Sequence, residues 1–306
     1  VLSTPSGHKL DAALGELDFM VSLDPWINET TRHADIILPP TSPLEHDHYD
    51  LAFHVNAMRN TSRFSLEVFA KPEGALHDWE IFEALGQRVA RGLGLDSQPS
   101  PPPDVMMDMA LQAGPYGNDS PEQLSLSVLK DSPSGIDLGP LQPLLPARLK
   151  TPEQRINIAV PECLADLQRL LTEADSLESF RLIGRRHVRD CNSWMHNFQR
   201  LVKGRNRCTL LVNPLDADRE GWRTGDSVQV ASPAGAVVVP VEISPDIMAG
   251  VVSLPHGYGH HRTGTKIAIA NSHAGISCND VTDAQYIDQL SGNAAVNGLP
   301  VSISLV

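Results

Sequence analysis

The chain has 306 residues, a formal net charge of -13, 41% hydrophobic residues and 20% charged residues. That composition belongs to a folded globular protein, and the length favours two domains over one. The acidic balance excludes a general nucleic-acid binder, which shows a basic face. No apolar run is long enough to span a bilayer as a helix, and no signal-like pattern opens the sequence. Cys163, Cys191, Cys208 and Cys278 lie far apart and form no CxxC pair, so neither a zinc nor an iron–sulfur site is written here. They read as reduced, buried thiols. The sequence opens on Val1 in mid-pattern and reads as a piece of a longer chain.

Residues 19–23 and 35–38 are short apolar runs, the second closed by Pro39 and Pro40. Between them Asn28 or Thr30 suits the cap of a short helix, with Glu29 favourable in its first turn. Strand, helix, strand is a βαβ unit and predicts a parallel pair. Ligands sit beyond the carboxyl ends of such strands. Asp24 falls at that end of the first strand. Its carboxylate suits the N1–H and N2–H₂ donors of a guanine, and equally suits a turn. Residues 45–50, EHDHYD, suggest a metal, but no second ligand cluster accompanies them at a recognised spacing, so they read as a polar loop. Residues 77–91 predict an amphipathic helix with Trp79, Phe82, Leu85 and Val89 on one core-facing stripe. Residues 96–152 are rich in Pro, Ser, Gly and Asp and read as linker, with a short helix over 106–113. Residues 160–176 predict a second helix with a stripe of Val160, Leu164, Leu167 and Leu171.

The period then changes to two. Residues 180–213 hold Arg181, Arg185, Arg186, Arg189, Arg200, Lys203, Arg205 and Arg207, opposed only by Asp190. Against a chain charge of -13 this is a local excess. Arginine clamps phosphate through paired N–H donors. Asn192, Ser193, His196 and Asn197 supply donors and acceptors that read the edge of a heterocycle. The stretch reads as a loop gripping phosphate and heterocycle; a solvated basic surface loop is the competing reading. Strands follow at 209–212, 227–232, 237–243 and 251–254, with a capped helical turn at 213–222 holding Asn213 and Asp216. Close turn signals and no long helix predict a small closed barrel, which also removes exposed edges. Residues 255–261, PHGYGHH, form a glycine-lined loop that lets backbone approach a planar ligand. His256 and His260 stand four apart, but Gly257 and Gly259 argue against a helical zinc face. Asn271, Asn279, Asp280 and Thr282 crowd a last polar loop, open to reading as ligand contacts or as Asx turns.

Three segments together resemble the molybdenum and tungsten bis-pterin-guanine-dinucleotide oxidoreductases, the dimethyl-sulfoxide-reductase superfamily that includes formate dehydrogenases and nitrate reductases. They are residues 17–46, LDFMVSLDPWINETTRHADIILPPTSPLEH; residues 182–197, LIGRRHVRDCNSWMHN; and residues 211–279, with its GDSVQV turn, its DIMAGVV run and its late Asn279. The resemblance thins over about residues 96–178. It implies an α/β + β fold, with part of a Rossmann-like parallel α/β domain over 1–95, a Pro-rich linker with helices over 96–178, and a double-psi β-barrel binding the molybdopterin dinucleotide over 179–306. It makes Asp24 a guanine contact. Arg185, Arg186, Asn192, Ser193, His196 and Asn197 become pterin and phosphate contacts. His256, Gly257 and Asn279 become pterin-edge contacts, and Asn213 and Asp216 either touch the cofactor or cap their turn.

The implied cofactor is a molybdenum or tungsten bis-molybdopterin guanine dinucleotide, its metal held by ene-dithiolate sulfurs. The family's metal-ligating residue and its 4Fe-4S cysteines belong to a region upstream of these segments. No catalytic residue and no metal ligand is therefore assigned in this chain. A small-molecule substrate and a redox partner subunit or electron carrier are implied. Nucleic acid and a transmembrane segment are not, and the cytoplasm is favoured over the periplasm. Two other readings compete. One is a non-catalytic relative like the large iron–sulfur subunit of respiratory complex I; the other is an unrelated barrel used as a binding module.

Overall fold

A computed structural model describes residues 1–172 and 180–306. It divides into two compact units, one of Val1–Ile37 with Asn157–Val306, the other of Leu38–Ile156. The compact units therefore cut across the segments read from composition.

The first unit begins with helix α1 (Gly7–Leu14), followed by two short strands, β1 (Val21–Ser22) and β2 (Ile36–Ile37), that pair in parallel. The link between them is a single 3₁₀ turn, Thr31–His33, in place of the expected short helix. Asn28 caps it: its Oδ1 accepts from the backbone N–H of Thr30 (2.9 Å) and Thr31 (3.1 Å). Glu29 does not serve that turn; it is buried at 4% exposure.

The second unit contains β3 (His48–Tyr49), β4 (Arg59–Ser62), β5 (Phe64–Ser65), helices α2 (Asp78–Gly92), α3 (Pro103–Ala113) and α4 (Leu126–Lys130), and β6 (Ile136–Pro140). Its pairings, β3 with β5 and β4 with β6, are antiparallel. Phe64, Leu124, Leu126 and Leu129 form its core. The stretch read as linker thus contributes two helices and a strand to a packed unit. On α2 the buried residue is Ile81, whereas Phe82 and Val89 are 63% and 59% exposed. The 3.6-residue period found the helix but not the face that packs.

Returning to the first unit, α5 (Pro161–Thr172) carries its expected stripe outward, with Leu164, Leu167 and Leu171 exposed. The expected end of this helix, 173–176, and the 178/179 boundary lie outside the described residues. Six strands then close a barrel: β7 (Phe180–Arg185), β8 (Leu210–Val212), β9 (Ser227–Ser232), β10 (Gly235–Ile243), β11 (Val251–Pro255) and β12 (Leu299–Leu305), in the order β10-β8-β11-β7-β12-β9. Alternation builds it. On β9, Val228 and Val230 are fully buried while Ser227 and Gln229 face out. On β11, Val252, Ser253, Leu254 and Pro255 are all buried, so both faces of this strand are covered. Leu182, Leu210, Val212, Val239, Val241, Leu299 and Val301 complete the core. Each such side chain stabilises the fold by roughly 1.5–3 kcal/mol. Pro240 sits where β10 leaves β9 and joins β8, a place where a missing N–H costs no ladder bond. Short helices α6 (Gln199–Val202), α7 (Pro214–Glu220) and α8 (Ala268–Asn271) fill the connections.

Candidate functional site

Strand direction gathers the polar loops. β11 runs parallel to β7, with Pro255 opposite Arg185, so the loops that follow both strands leave from one end of the barrel. β8 is antiparallel to β11, with Leu211 opposite Ser253, which brings residues 207–209 to that same end. Three segments distant in sequence thus meet at the carboxyl ends of a parallel pair, the usual place for a ligand in sheets of this kind.

Contact between the loops is close enough to require glycine. A Cβ on Gly257, whose φ is 88°, would lie 2.1 Å from the carbonyl oxygen of Asn192. A Cβ on Gly184 would lie 2.2 Å from His256 Nε2. Across from Gly257 the backbone is strained: Cys191 and Asn192 both take positive φ, 42° and 61°. Side chains pay about 1–2 kcal/mol for that conformation, and such strain clusters at ligand sites. Among the described residues, the N–H groups of Cys191, Asn192 and Ser193 have no hydrogen-bond acceptor within the protein, although the turn around them is well bonded, with Met195 N donating to Asp190 O at 3.1 Å. Clustered free N–H groups form an anion-binding concavity.

The arginines divide by what holds them. The Arg185 guanidinium donates to the carbonyls of Ser253 (2.5 Å), Thr209 (2.7 Å) and Arg207 (3.0 Å), so it staples the ends of β11, β7 and β8. Arg207 pairs with buried Asp190 at 2.7 Å, and Arg205 with Glu242 at 3.2 Å. Arg186 alone of these four is held neither by a carboxylate nor by backbone carbonyls among the described residues. Its Nη1 donates to Asn192 Oδ1 at 3.0 Å, beside the strained turn. A cleft of about 250 Å³ opens here, lined by Arg185, Arg186, Asp190, Arg205, Arg207 and Glu242 among others. A cleft of that size suits part of a large ligand.

The remaining expected site residues are placed as follows. Asp24 Oδ1 accepts from Trp26 N (2.7 Å) and Oδ2 from Asn28 Nδ2 (2.9 Å), so it holds the turn after β1. Asn197 Oδ1 accepts from Ile269 N (3.1 Å) and Ala270 N (3.3 Å), capping α8. Asn213 Oδ1 accepts from Leu215 N and caps α7, while its Nδ2 donates to Ile247 O at 2.6 Å. Asp216, fully buried, accepts from Gly250 N at 2.7 Å and faces Arg219 at 3.0 Å. Both Asn213 and Asp216 are thus spent on capping and turn closure, one of the two roles open to them from sequence. Asn279, 1% exposed, donates to Leu2 O at 2.6 Å and accepts from Thr282 Oγ1 at 2.9 Å, which makes it a fastener of the chain's first residues.

His256 faces the thiol of Cys278 at 3.3 Å. Burial, and then the Arg186 cation beside it, hold His256 below the usual imidazole range, and burial pushes the Cys278 thiol up to about 12. The thiol is therefore the donor. Cys208 and Cys278 are buried as expected, but Cys163 and Cys191 are exposed.

His196 is fully buried and meets groups that the sequence named separately but did not join. Its Nδ1 lies 2.8 Å from His260 Nε2, and its Nε2 lies 3.4 Å from Asp190 Oδ1. His260 Nδ1 lies 2.8 Å from Glu29 Oε1. Burial first, and His260 second, push the His196 pKa down to about 4. Among the described residues no group of three or more His, Cys, Asp or Glu is arranged to hold a metal ion, and no helix is long and apolar enough to cross a membrane.

Such a barrel end, with backbone N–H groups left without partners, an uncommitted arginine and a glycine-thinned loop, is chemically suited to a phosphate-bearing planar ligand. Residues 180–300 match the family of the molydopterin dinucleotide binding domain. The F420-dependent formate dehydrogenase 1 subunit alpha of Methanococcus maripaludis is 26% identical over 83% of this chain and 36% of its own length. The assimilatory nitrate reductase catalytic subunit of Bacillus subtilis is 33% identical over 30% of this chain and 12% of its own. Acetylene hydratase from Pelobacter acetylenicus covers 98% of this chain and 42% of its own with a TM-score of 0.60 at 16% identity, a likeness of fold. The chain spans about a third of the length of the first of these relatives. Residues 180–300 are thus a molydopterin dinucleotide binding domain, and the chain is similar to molybdopterin enzymes of the formate dehydrogenase and nitrate reductase type. The cofactor of that group is the molybdenum or tungsten bis-molybdopterin guanine dinucleotide. The residues present suit it: unpaired backbone donors and Arg186 for phosphate or pterin oxygens, and a Gly257 surface open to a flat ring.

Proposed function

We propose that this chain holds the pterin dinucleotide in an oxidoreductase that transfers an oxygen atom, or a hydride or proton with electrons, to or from a small molecule. The bound cofactor supplies the metal-centred redox chemistry, and the protein supplies grip, orientation and electrostatics. Arg186 and the N–H groups of residues 191–193 take phosphate or pterin oxygens. Asn192, Ser193, His256 and Gly257 border the ring. Asp24 reads the guanine through the second lone pairs of its carboxylate. Arg185, His196, Asn197, Asn213, Asp216 and Asn279 act one layer back, fixing the loops. The observation that carries this reading is the strained Cys191–Asn192 turn, packed on Gly257 and flanked by the uncommitted Arg186. Each buried acceptor left unpaired on the ligand would cost roughly 1–3 kcal/mol, which is why so many donors converge.

The same reading assigns the segments. Residues 1–95 belong to a Rossmann-like α/β domain, supported by the parallel β1–β2 pair. Residues 96–178 lie between, packed into the second compact unit as far as Ile156, and 179–306 form a barrel of the double-psi type, supported by its two parallel pairs, β11 with β7 and β10 with β8. The metal-ligating residue and a 4Fe-4S cluster belong to a region outside this sequence, and a redox partner subunit or carrier takes the electrons. Four unpaired cysteines suit a reducing compartment, the cytoplasm. Arg186→Ala in the full-length enzyme tests the core of the proposal. Molybdenum and pterin content per protein should fall severalfold. Unchanged content with lowered turnover would remove Arg186 from the grip.

A further inference from the structure

Four buried ionisable groups stand in a line that the cofactor grip does not use. Glu29 Oε1 is 2.8 Å from His260 Nδ1, His260 Nε2 is 2.8 Å from His196 Nδ1, and His196 Nε2 is 3.4 Å from Asp190 Oδ1. Exposures are 4%, 1%, 0% and 3% in that order. Asp190 is answered by Arg207 at 2.7 Å. Glu29 has no arginine or lysine within ion-pair distance among the described residues; its one ion-pair partner is His260.

Proton counting decides the state. His260 Nδ1 meets Glu29 at hydrogen-bond distance and is stable there only as N–H; His196 Nε2 is buried without a hydrogen-bond partner, and as a bare nitrogen it would set its lone pair against Asp190 Oδ1 at 3.4 Å. The two inner nitrogens face each other and share one hydrogen. That makes three N–H protons on two imidazoles, one more than two neutral rings carry. With two protons, one bare nitrogen would oppose a carboxylate. With four, two N–H groups would oppose each other. Three also closes the charge: Glu29 and Asp190 against Arg207 and one imidazolium. An uncompensated buried carboxylate would cost several kcal/mol.

We propose that His196 and His260 share a single proton between Glu29 and Asp190, and that this imidazolium latches the arginine loop to the segment that follows β1. The latch joins three stretches: Glu29 lies in the loop after β1, His260 in the glycine-lined loop after β11, and His196 with Asp190 in the loop carrying the strained turn. Other groups facing the pair are the Tyr258 ring, 4.4 Å from that of His196, and His273, 5.9 Å away. His187 stands 3.9 Å from Asp190. His196 resists a second proton because of its burial and the neighbouring charge, as a singly protonated pair requires. The slackest link, 3.4 Å to Asp190, is the end at which the loop would part. The consequence for the cofactor rests on the proposed grip; the shared proton does not.

The test uses the full-length enzyme, with unfolding midpoint and pterin content after dialysis both followed from pH 5 to 9. Losing the shared proton at alkaline pH should lower both. Glu29→Gln removes the charge that holds the proton, so the alkaline edge of the stability profile should move to lower pH by at least about one unit, a tenfold weaker hold. The double change Glu29→Gln with His260→Gln replaces the ion pair by a neutral amide pair and should flatten that edge, and it decides the matter if Glu29→Gln alone does not fold. An edge at its original pH in Glu29→Gln, or unaltered in the double variant, overturns the latch. Wild-type protein without pterin would instead defeat the functional reading and leave the stability profile to judge the proton.

Discussion

Gly257→Ala is the sharpest test of how the two cofactor loops meet. Two costs add at this position. Its φ of 88° imposes about 1–2 kcal/mol on any residue with a Cβ. That Cβ would also lie 2.1 Å from Asn192 O, over an ångström inside normal contact, and the obstacle is backbone that cannot swing aside. Overpacking of this kind costs roughly 1–3 kcal/mol. Gly250→Ala separates the terms, because its φ is a similar 79° but nothing lies within 4 Å of the added methyl. Chemical denaturation of the full-length enzyme should show Gly250→Ala losing about 1–2 kcal/mol and Gly257→Ala about 2–5 kcal/mol. Pterin content should drop only in Gly257→Ala, where the strained turn at 191–192 must move. Equal stability losses with full pterin in both would refute the claim that this contact shapes the site.

The other predictions concern the groups behind the site. His196 is held near 4 in the folded protein against an ordinary 6.5, so the unfolded chain binds the extra proton first as pH falls. This contribution is complete above about pH 6.5 and is lost as pH drops towards 4, by at most about 3 kcal/mol; denaturation at stepped pH should show that slope, and His196→Gln should reduce it. Asp190→Asn removes the buried carboxylate facing half-buried Arg207 at 2.7 Å and should destabilise by about 3 kcal/mol in the same assay, since the cation loses its partner. Thiol labelling of the native protein at pH 8 should spare Cys208 and Cys278, both raised by burial, until the fold is opened by denaturant.

The barrel was legible because its strands obey a simple alternation. Val228 and Val230 face in, Ser227 and Gln229 face out, and turns at Gly225 and Gly235 punctuate them. The closing strand β12 has the same alternation in Leu299, Val301 and Ile303, but it follows a long irregular stretch and was not read from sequence. Helix periodicity fared unevenly for a physical reason. A stripe of apolar residues states that a helix wants a partner, not which one. Ile81 is buried on α2 while Phe82 is exposed, and the α5 stripe has no cover among the described residues. The Pro-rich stretch misled because composition weighs every residue alike. Leu124, Leu126 and Leu129 suffice to bury a core among many polar neighbours.

At the site, residue type marked the right loops but not the division of labour within them. Arg185 and Arg186 are adjacent and chemically identical, yet one is consumed by three carbonyls and the other is uncommitted. That difference is set by the alternation of β7: Arg185 lies over the ends of β8 and β11, while Arg186 begins the loop. Glu29 and His260 were each visible, one as a helix-turn acid and the other as half of a doubtful zinc pair. Their meaning is relational, since 231 residues separate them and only the closed barrel with its preceding segment puts them 2.8 Å apart. Desolvation then makes the pairing obligatory. A carboxylate at 4% exposure cannot stand without a counter-charge, so the proton on the imidazole pair follows from the fold rather than from either residue's identity.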